Sequence, residues 1–149
     1  MEGLYDPSKW EIVEASSSKN IVKLNPPQIS LFNTTGSYWS SEQYGEWDMT
    51  LFGIPIIRLR QDIGYYFYWN VRIDSIFKYD AYVKHNYSPM SKIALEYSTS
   101  WISGSEAKGE FRMSYSVGPI QDLSVQMGNI YGTLRANTTG SGYYSFWTS

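Results

Sequence analysis

Two carboxylates stand two positions apart in a segment where polar and large apolar residues alternate. Glu46 and Asp48 alternate with Trp47 and Met49, and this alternation predicts a β-strand with one polar and one apolar face. Both carboxylates should therefore project from the same side of a sheet. Paired carboxyl groups on one surface are the arrangement with which many glycosidases cleave sugars. Ordinary strand patterning favours the competing interpretation, that the pair lies on the solvent-facing side of an amphipathic strand.

Other chemistry-bearing residues give weaker signals. The single histidine, His85, lies in a predicted loop, and we expect it at the surface rather than in a Ser-His-Asp relay. Cysteine is absent, which excludes disulfides, thiolate zinc sites and cysteine nucleophiles together. The aspartates are scattered, without an Asp-x-Asp-x-Asp-Gly loop. We predict no cofactor, and a structural calcium ion held by distant loops is the alternative.

The composition is that of an aromatic-rich chain with little net charge. Its 149 residues fit one domain, so residues 1–149 are predicted to form a single domain. Aromatic residues make up 17% of the chain, a share that suits β-sheets. A net charge of -2 without a basic cluster argues against nucleic acid as a partner. No apolar run is long enough for a membrane span.

Three Asn-x-Ser/Thr sequons, at Asn33, Asn86 and Asn137, are candidate N-glycosylation sites. Low charge and abundant Ser, Thr, Tyr and Trp are more typical of a secreted or particle-surface protein than of a cytosolic enzyme. The first ten residues lack the design of a signal peptide. We expect an extracellular location or one on the surface of a virion or other particle.

Short alternating segments separated by turn residues recur along the chain, and no helical period persists for ten residues. The pattern predicts ten to twelve short strands. Residues 65–73 form a predicted central strand, and Asp74-Ser75 a tight turn into a hairpin with residues 76–84. Polar loops are predicted at residues 16–18 and 33–43, and residues 102–109 form a polar segment punctuated by glycine. The fold class is therefore all-β, with two packed antiparallel sheets in a β-sandwich or jelly roll.

The aromatic residues exceed what one core of this size should hold. They include Tyr38, Trp39, Tyr44, Tyr66, Tyr68, Trp101, Tyr131 and Trp147. Some of these rings should reach the surface, where they can stack on sugars or anchor protein interfaces. We predict ligand binding at Tyr38 and Trp39, in a predicted loop, and at Tyr66 and Tyr68, for which cross-strand packing is the competing interpretation. Glu46 and Asp48 complete the predicted set.

Four short segments along the chain occur in an order that is also found in a known superfamily. They are residues 5–13, 21–24, 43–49 and 141–147. This order resembles the concanavalin A-like lectin/glucanase superfamily, particularly its laminin-G-like members. The resemblance implies a jelly-roll sandwich that recognises glycans or protein surfaces. In the members that hydrolyse β-glucan, a Glu-x-Asp-x-Glu strand carries the catalytic groups. Here Thr50 replaces the last carboxylate, and a hydroxyl cannot act as a general acid at neutral pH. We therefore expect no enzymatic activity.

Three functions follow from these observations. The leading hypothesis is a non-catalytic recognition module that binds glycan, a cell surface or a protein partner through aromatic residues. The first alternative is a structural assembly subunit, such as a capsid, spike or filament protein, with homo-oligomer or particle neighbours. The second alternative is a glycoside hydrolase that acts on β-glucan through Glu46 and Asp48.

Overall fold

The computed structural model describes residues 10–25, 36–51, 53–88, 91–117 and 126–148, and eight antiparallel strands make up most of them. The strands are β1 (Trp10–Leu24), β2 (Tyr38–Leu51), β3 (Ile54–Tyr68), β4 (Arg72–Asn86), β5 (Ser91–Ser103), β6 (Glu106–Val117), β7 (Gln126–Ala136) and β8 (Gly142–Thr148). They form two four-stranded sheets that pack face to face. The predicted all-β sandwich is confirmed. A helix able to cross a membrane is absent from these ranges.

Both sheets are meanders, in which each strand pairs with the next strand along the chain. The first sheet has the order β1-β2-β3-β4 and the second the order β5-β6-β7-β8. The prediction left sandwich and jelly roll open, and this sequential order is that of a sandwich built from two meanders. Neighbouring residues in sequence therefore share a sheet, and each sheet has its own outer face.

Within the described ranges the chain forms eight strands of 7 to 15 residues, and most of them are longer than the short strands that we predicted. Polar segments predicted as loops lie inside strands. Residues 16–18 belong to β1, where the register shifts between Glu14 and Ser16 and a bulge absorbs the irregularity. Residues 102–109 form a hairpin with a two-residue turn, in which Gly104 has a φ of 62° that suits glycine.

The hairpin between β3 and β4 turns earlier than predicted, so the predicted turn at Asp74-Ser75 was wrong. The turn is Trp69-Asn70-Val71, because β3 ends at Tyr68 and β4 begins at Arg72. Asn70 has a φ of 58°, in the left-handed region that asparagine tolerates. Its N–H donates to the carbonyl of Thr138 at 2.8 Å, which ties this turn to the second sheet.

The core consists of two adjoining clusters between the sheets. The first contains Met49, Ile57, Leu59, Ala81, Phe111, Met113, Tyr115, Ile130 and Phe146. The second contains Ile63, Tyr65, Phe67, Ile73, Ala107, Leu134 and Ala136. Met49 is buried and Trp47 packs against Phe146 with ring centroids 5.4 Å apart, as the alternation predicted. The side chain of Leu51, also predicted for the core, lies outside the described part.

Two glutamines on inward faces connect the sheets by hydrogen bonds. Gln43 on β2 donates to the carbonyl of Gly140 at 3.0 Å and accepts from the Tyr144 hydroxyl at 2.6 Å. Gln61 on β3 donates to the carbonyl of Thr133 at 3.0 Å and accepts from Tyr79 at 2.9 Å. Because buried amides need partners, these bonds favour one relative placement of the two sheets.

Candidate functional site

Glu46 and Asp48 project from the outer face of the first sheet, on the same side, as predicted. They belong to a charged cluster made of Glu46, Asp48, Arg58, Arg60, Asp62 and Lys84. Asp48 accepts hydrogen bonds from Arg58 at 2.7 and 2.9 Å. Glu46 lies 2.7 Å from the Lys84 Nζ and 3.3 Å from Arg60, which also bonds Asp62 at 2.6 Å. The cluster connects β2, β3 and β4.

These carboxylates lie on the outer side of the strand, as the competing interpretation expects, but they are buried there rather than exposed to solvent. Glu46 is 2% exposed and Asp48 5% exposed, because long cationic side chains from β3 and β4 cover them. Burial works to raise the pKa of Glu46, but the hydrogen bond and charge of Lys84, with help from Ser16 and Arg58, lower it below its ordinary value. A carboxylate held ionised by surrounding cations is poorly suited to donate a proton.

Three of the predicted binding tyrosines meet at the other end of this outer face. The ring of Tyr38 lies 5.9 Å from that of Tyr66 and 4.9 Å from that of Tyr68. The Tyr38 hydroxyl donates to Asp74 at 2.9 Å. Tyr38 and Tyr68 are buried and Tyr66 is partly buried. The rings therefore pack mainly against one another, as the cross-strand interpretation expects.

Tyr38 and Trp39 lie in β2, so their placement in a loop was wrong. The polar residues around them pair within the sheet, and Ser41 and Gln43 are buried. Trp39 faces the opposite side from Tyr38 and packs against the second core cluster and, at 5.2 Å, against Trp69. The structure thus brings Tyr38, Tyr66 and Tyr68 together and separates them from Trp39.

The remaining candidates occupy turns and strand ends. Asn86 donates to the carbonyl of Ser91 at 3.2 Å, and the Asn137 side chain accepts three hydrogen bonds from Thr139 and Ser141. Asn33 lies outside the described residues. The ring of His85 packs against Tyr87 at 4.7 Å. The described ranges contain no group of three or more His, Asp or Glu side chains placed to hold a metal ion.

The outer face of the second sheet carries a different surface, in which three parallel rows of side chains run across all four strands. The first row is Trp101, Lys108, Arg135 and Tyr143; the second is Thr99, Glu110, Thr133 and Ser145; the third is Tyr97, Arg112, Tyr131 and Trp147. These residues alternate along the strands with buried ones such as Phe111 and Leu134, so they point outward. We call this surface the aromatic groove.

The groove has aromatic rings at the ends of its outer rows, and its middle row carries three hydroxyl side chains and the carboxylate of Glu110. Trp101 and Tyr143 border a depression of about 460 Å³. They are 40% and 71% exposed, so their rings are available to a ligand. Tyr131 and Trp147 stack at 5.6 Å with an interplanar angle of 15°. With strands about 4.8 Å apart, four strands span about 14 Å.

Part of this surface is indicated by the sequence. Trp101, Tyr131 and Trp147 were among the surplus aromatics, of which we expected some to reach the surface, whereas Tyr143 and Glu110 were not recognised. A signal for both exists, because Tyr143 and Glu110 occupy outward positions in alternating segments. Their assembly into rows depends on the register between strands, which the chain order alone does not contain.

Comparison with family models found no matching family, and comparisons with curated proteins and with solved structures found no matching protein or structure. The sandwich has two outer faces. That of the first sheet is closed by ion pairs and stacked tyrosines, and that of the second sheet is open.

Proposed function

We propose that the protein is a non-catalytic recognition module that binds glycan through the aromatic groove. The observation that supports this most is the row arrangement, with exposed rings on both sides of a row of hydroxyls and one carboxylate. Sugar rings present apolar C–H faces that stack on aromatic rings, and their hydroxyls pair with groups such as Glu110 and Thr133. Pockets with apolar walls and a few polar groups are typical ligand sites.

The exposure of the aromatic rings also supports a binding role. Trp147 and Tyr97 are 43% and 41% exposed, and exposed apolar patches on a domain surface commonly mark interaction sites. The rings sit on strands within a hydrogen-bonded sheet, so little of the binding free energy is used to order the site. The outer face of the first sheet is covered by its own ion pairs. The outer face of the second sheet is therefore the better binding face.

A glycan array with matched variants tests this proposal. Trp101→Ala removes a ring of the groove, whereas Trp69→Ala removes a ring of comparable exposure at the β3–β4 turn. We expect wild type and Trp69→Ala to bind the same glycans, and Trp101→Ala to bind them about tenfold more weakly, in line with the loss of about 1.4 kcal/mol. The absence of any bound glycan, or equal binding by Trp101→Ala, would contradict the proposal.

The proposal includes a location outside the cell or on a particle surface, supported by the composition and by the sequons at Asn86 and Asn137. Kinship with the concanavalin A-like superfamily is a further part of it, supported by the two packed sheets and the four sequence segments. The two sequential meanders differ from the jelly roll that the resemblance implies.

A second candidate function, a structural assembly subunit, is favoured by the edge strand β5. Its residues from Ala94 to Ser103 are all exposed, including Leu95 and Ile102 on the face turned toward the sandwich interior. An exposed edge strand offers unpaired backbone groups to another chain. Sedimentation at high concentration tests this function: self-association that Leu95→Lys abolishes would support assembly, and a monomer at every concentration would refute it.

A further inference from the structure

The first row of the aromatic groove places two cations side by side. Lys108 on β6 lies directly opposite Arg135 on β7. Like charges in opposed positions of a sheet repel each other. Within the described ranges, Arg135 approaches one carboxylate, Glu106, at 3.7 Å in an exposed pair, and Lys108 has no carboxylate in ion-pair range. The row therefore keeps a net positive charge, because Glu106 offsets only one of its two cations.

A third cation lies in the third row. The guanidinium of Arg112 sits 5.6 Å from the centre of the Tyr97 ring. Its Nε is buried and has no hydrogen-bond acceptor among the residues that the structure describes. Glu110, in the middle row, is the negative charge between Arg112 and Lys108 along β6. The groove is thus locally cationic on a chain whose net charge is -2.

We propose that the groove selects acidic saccharides, with a carboxylate or sulfate group of the sugar lying between Lys108 and Arg135. This inference rests on the proposed function and names its ligand class. The flanking rings of Trp101 and Tyr143 would hold the sugar ring and partly exclude water from the ion pair. Hydrogen bonds between charged partners are stronger than neutral ones, so the anionic group supplies much of the selectivity.

Glu110 limits where the acidic groups of a bound saccharide can lie. It lies two residues from Lys108 on the same face of β6, so it repels an anionic group placed over the middle row and accepts hydrogen bonds from neutral hydroxyls there. A continuous phosphate backbone would meet this repulsion, which favours a saccharide with separated charges over single-stranded nucleic acid. Glu110→Gln should accordingly widen the range of acidic ligands.

Matched saccharides with and without acidic groups test the inference. The first pair is trigalacturonate and its fully methyl-esterified form, and the second is a chondroitin sulfate tetrasaccharide and its desulfated, carboxyl-reduced form. Each is titrated by calorimetry into wild type, Lys108→Gln/Arg135→Gln and the control Lys23→Gln/Lys92→Gln, which loses the same charge outside the three rows. Circular dichroism and chemical denaturation of each variant verify folding.

We expect wild type and the control to bind at least one charged saccharide about tenfold or more tightly than its uncharged partner. Loss of this preference in Lys108→Gln/Arg135→Gln, with unchanged affinity for the uncharged form, would support the inference. Equal affinity for both forms, together with weaker saccharide binding by Trp101→Ala, would overturn acid selectivity. It would leave the proposal of glycan binding in place. Failure to bind any saccharide would overturn both. Equally tight binding of an oligo-dT probe would overturn the inference in favour of nucleic acid.

Discussion

Replacing Glu46 with glutamine should destabilise the fold, because the buried Glu46 carboxylate compensates the positive charges of Lys84 and Arg60 in the charged cluster. Glu46 is 2% exposed and lies 2.7 Å from Lys84 and 3.3 Å from Arg60. Removing one partner of a fully buried pair costs about 3–5 kcal/mol. The side chains of Lys84 and Arg60 are 43% and 23% exposed, so solvent screens them and the expected loss is smaller, about 1–3 kcal/mol.

The pH dependence of this loss follows from the direction of the pKa shift. The pKa of Glu46 lies below its ordinary value of 4.5, so the ionised form is stabilised by folding. Its contribution is fully present above about pH 4.5 and is lost as the pH falls through the pKa in the folded state. Because glutamine does not titrate, the difference between wild type and Glu46→Gln should shrink as the pH falls from 7 to below 4.5.

Urea denaturation at several pH values measures both effects, with Glu42→Gln as the control. Glu42 lies on the same strand and the same outer face but is exposed, so its substitution should change the free energy of unfolding by less than about 0.5 kcal/mol. A Glu46→Gln variant as stable as this control, or a stability difference that does not depend on pH, would refute the reasoning. A β-glucan hydrolysis assay on the same variants tests the hydrolase alternative, which requires activity in wild type that Glu46→Gln lacks.

Three further predictions concern the core. Gly132→Ala should lower the free energy of unfolding by about 1–3 kcal/mol, because the added Cβ would overlap the ring of Phe111; a neutral effect in thermal denaturation would show that the ring can move. Tyr144→Phe should cost about 1–2 kcal/mol, since it removes the 2.6 Å hydrogen bond to the buried Gln43; unchanged stability in urea would contradict this. Burial raises the pKa of Tyr65 to about 12, so the stability that this phenol contributes is present below pH 10 and lost as the pH rises through 12. Ultraviolet titration should therefore lose a late-ionising phenol in Tyr65→Phe, and identical titration curves would contradict burial.

The fold class could be predicted from the sequence because alternation of apolar and polar residues survives in most strands. The strand boundaries could not, since polarity alone does not separate an outward strand residue from a loop residue. Gln43 illustrates the difficulty, because it reads as part of a polar loop and yet is buried on an inward face. Its hydrogen bonds to Tyr144 and Gly140 compensate for burial, and both partners lie about a hundred residues away in the chain.

The candidate site could be predicted only as a surplus of aromatic residues. Tyr68 and Trp147 carry the same compositional signal, but Tyr68 is 1% exposed and Trp147 43% exposed. The difference arises from neighbours across strands: Tyr68 packs against Tyr38, whereas Trp147 ends a row at the sheet edge. Such neighbours are set by pairing register, which requires the folded sheet.

The central claim, that ligand binds on the outer face of the second sheet, is tested most directly by nuclear magnetic resonance of the isotope-labelled protein. The saccharide that binds best on the array is titrated while the six indole N–H signals are followed. We expect progressive shifts of Trp101 and Trp147, with Trp39 and Trp47 unchanged. Shifts confined to Trp39, Trp47 or Trp69, with Trp101 and Trp147 unaffected at saturation, would contradict it.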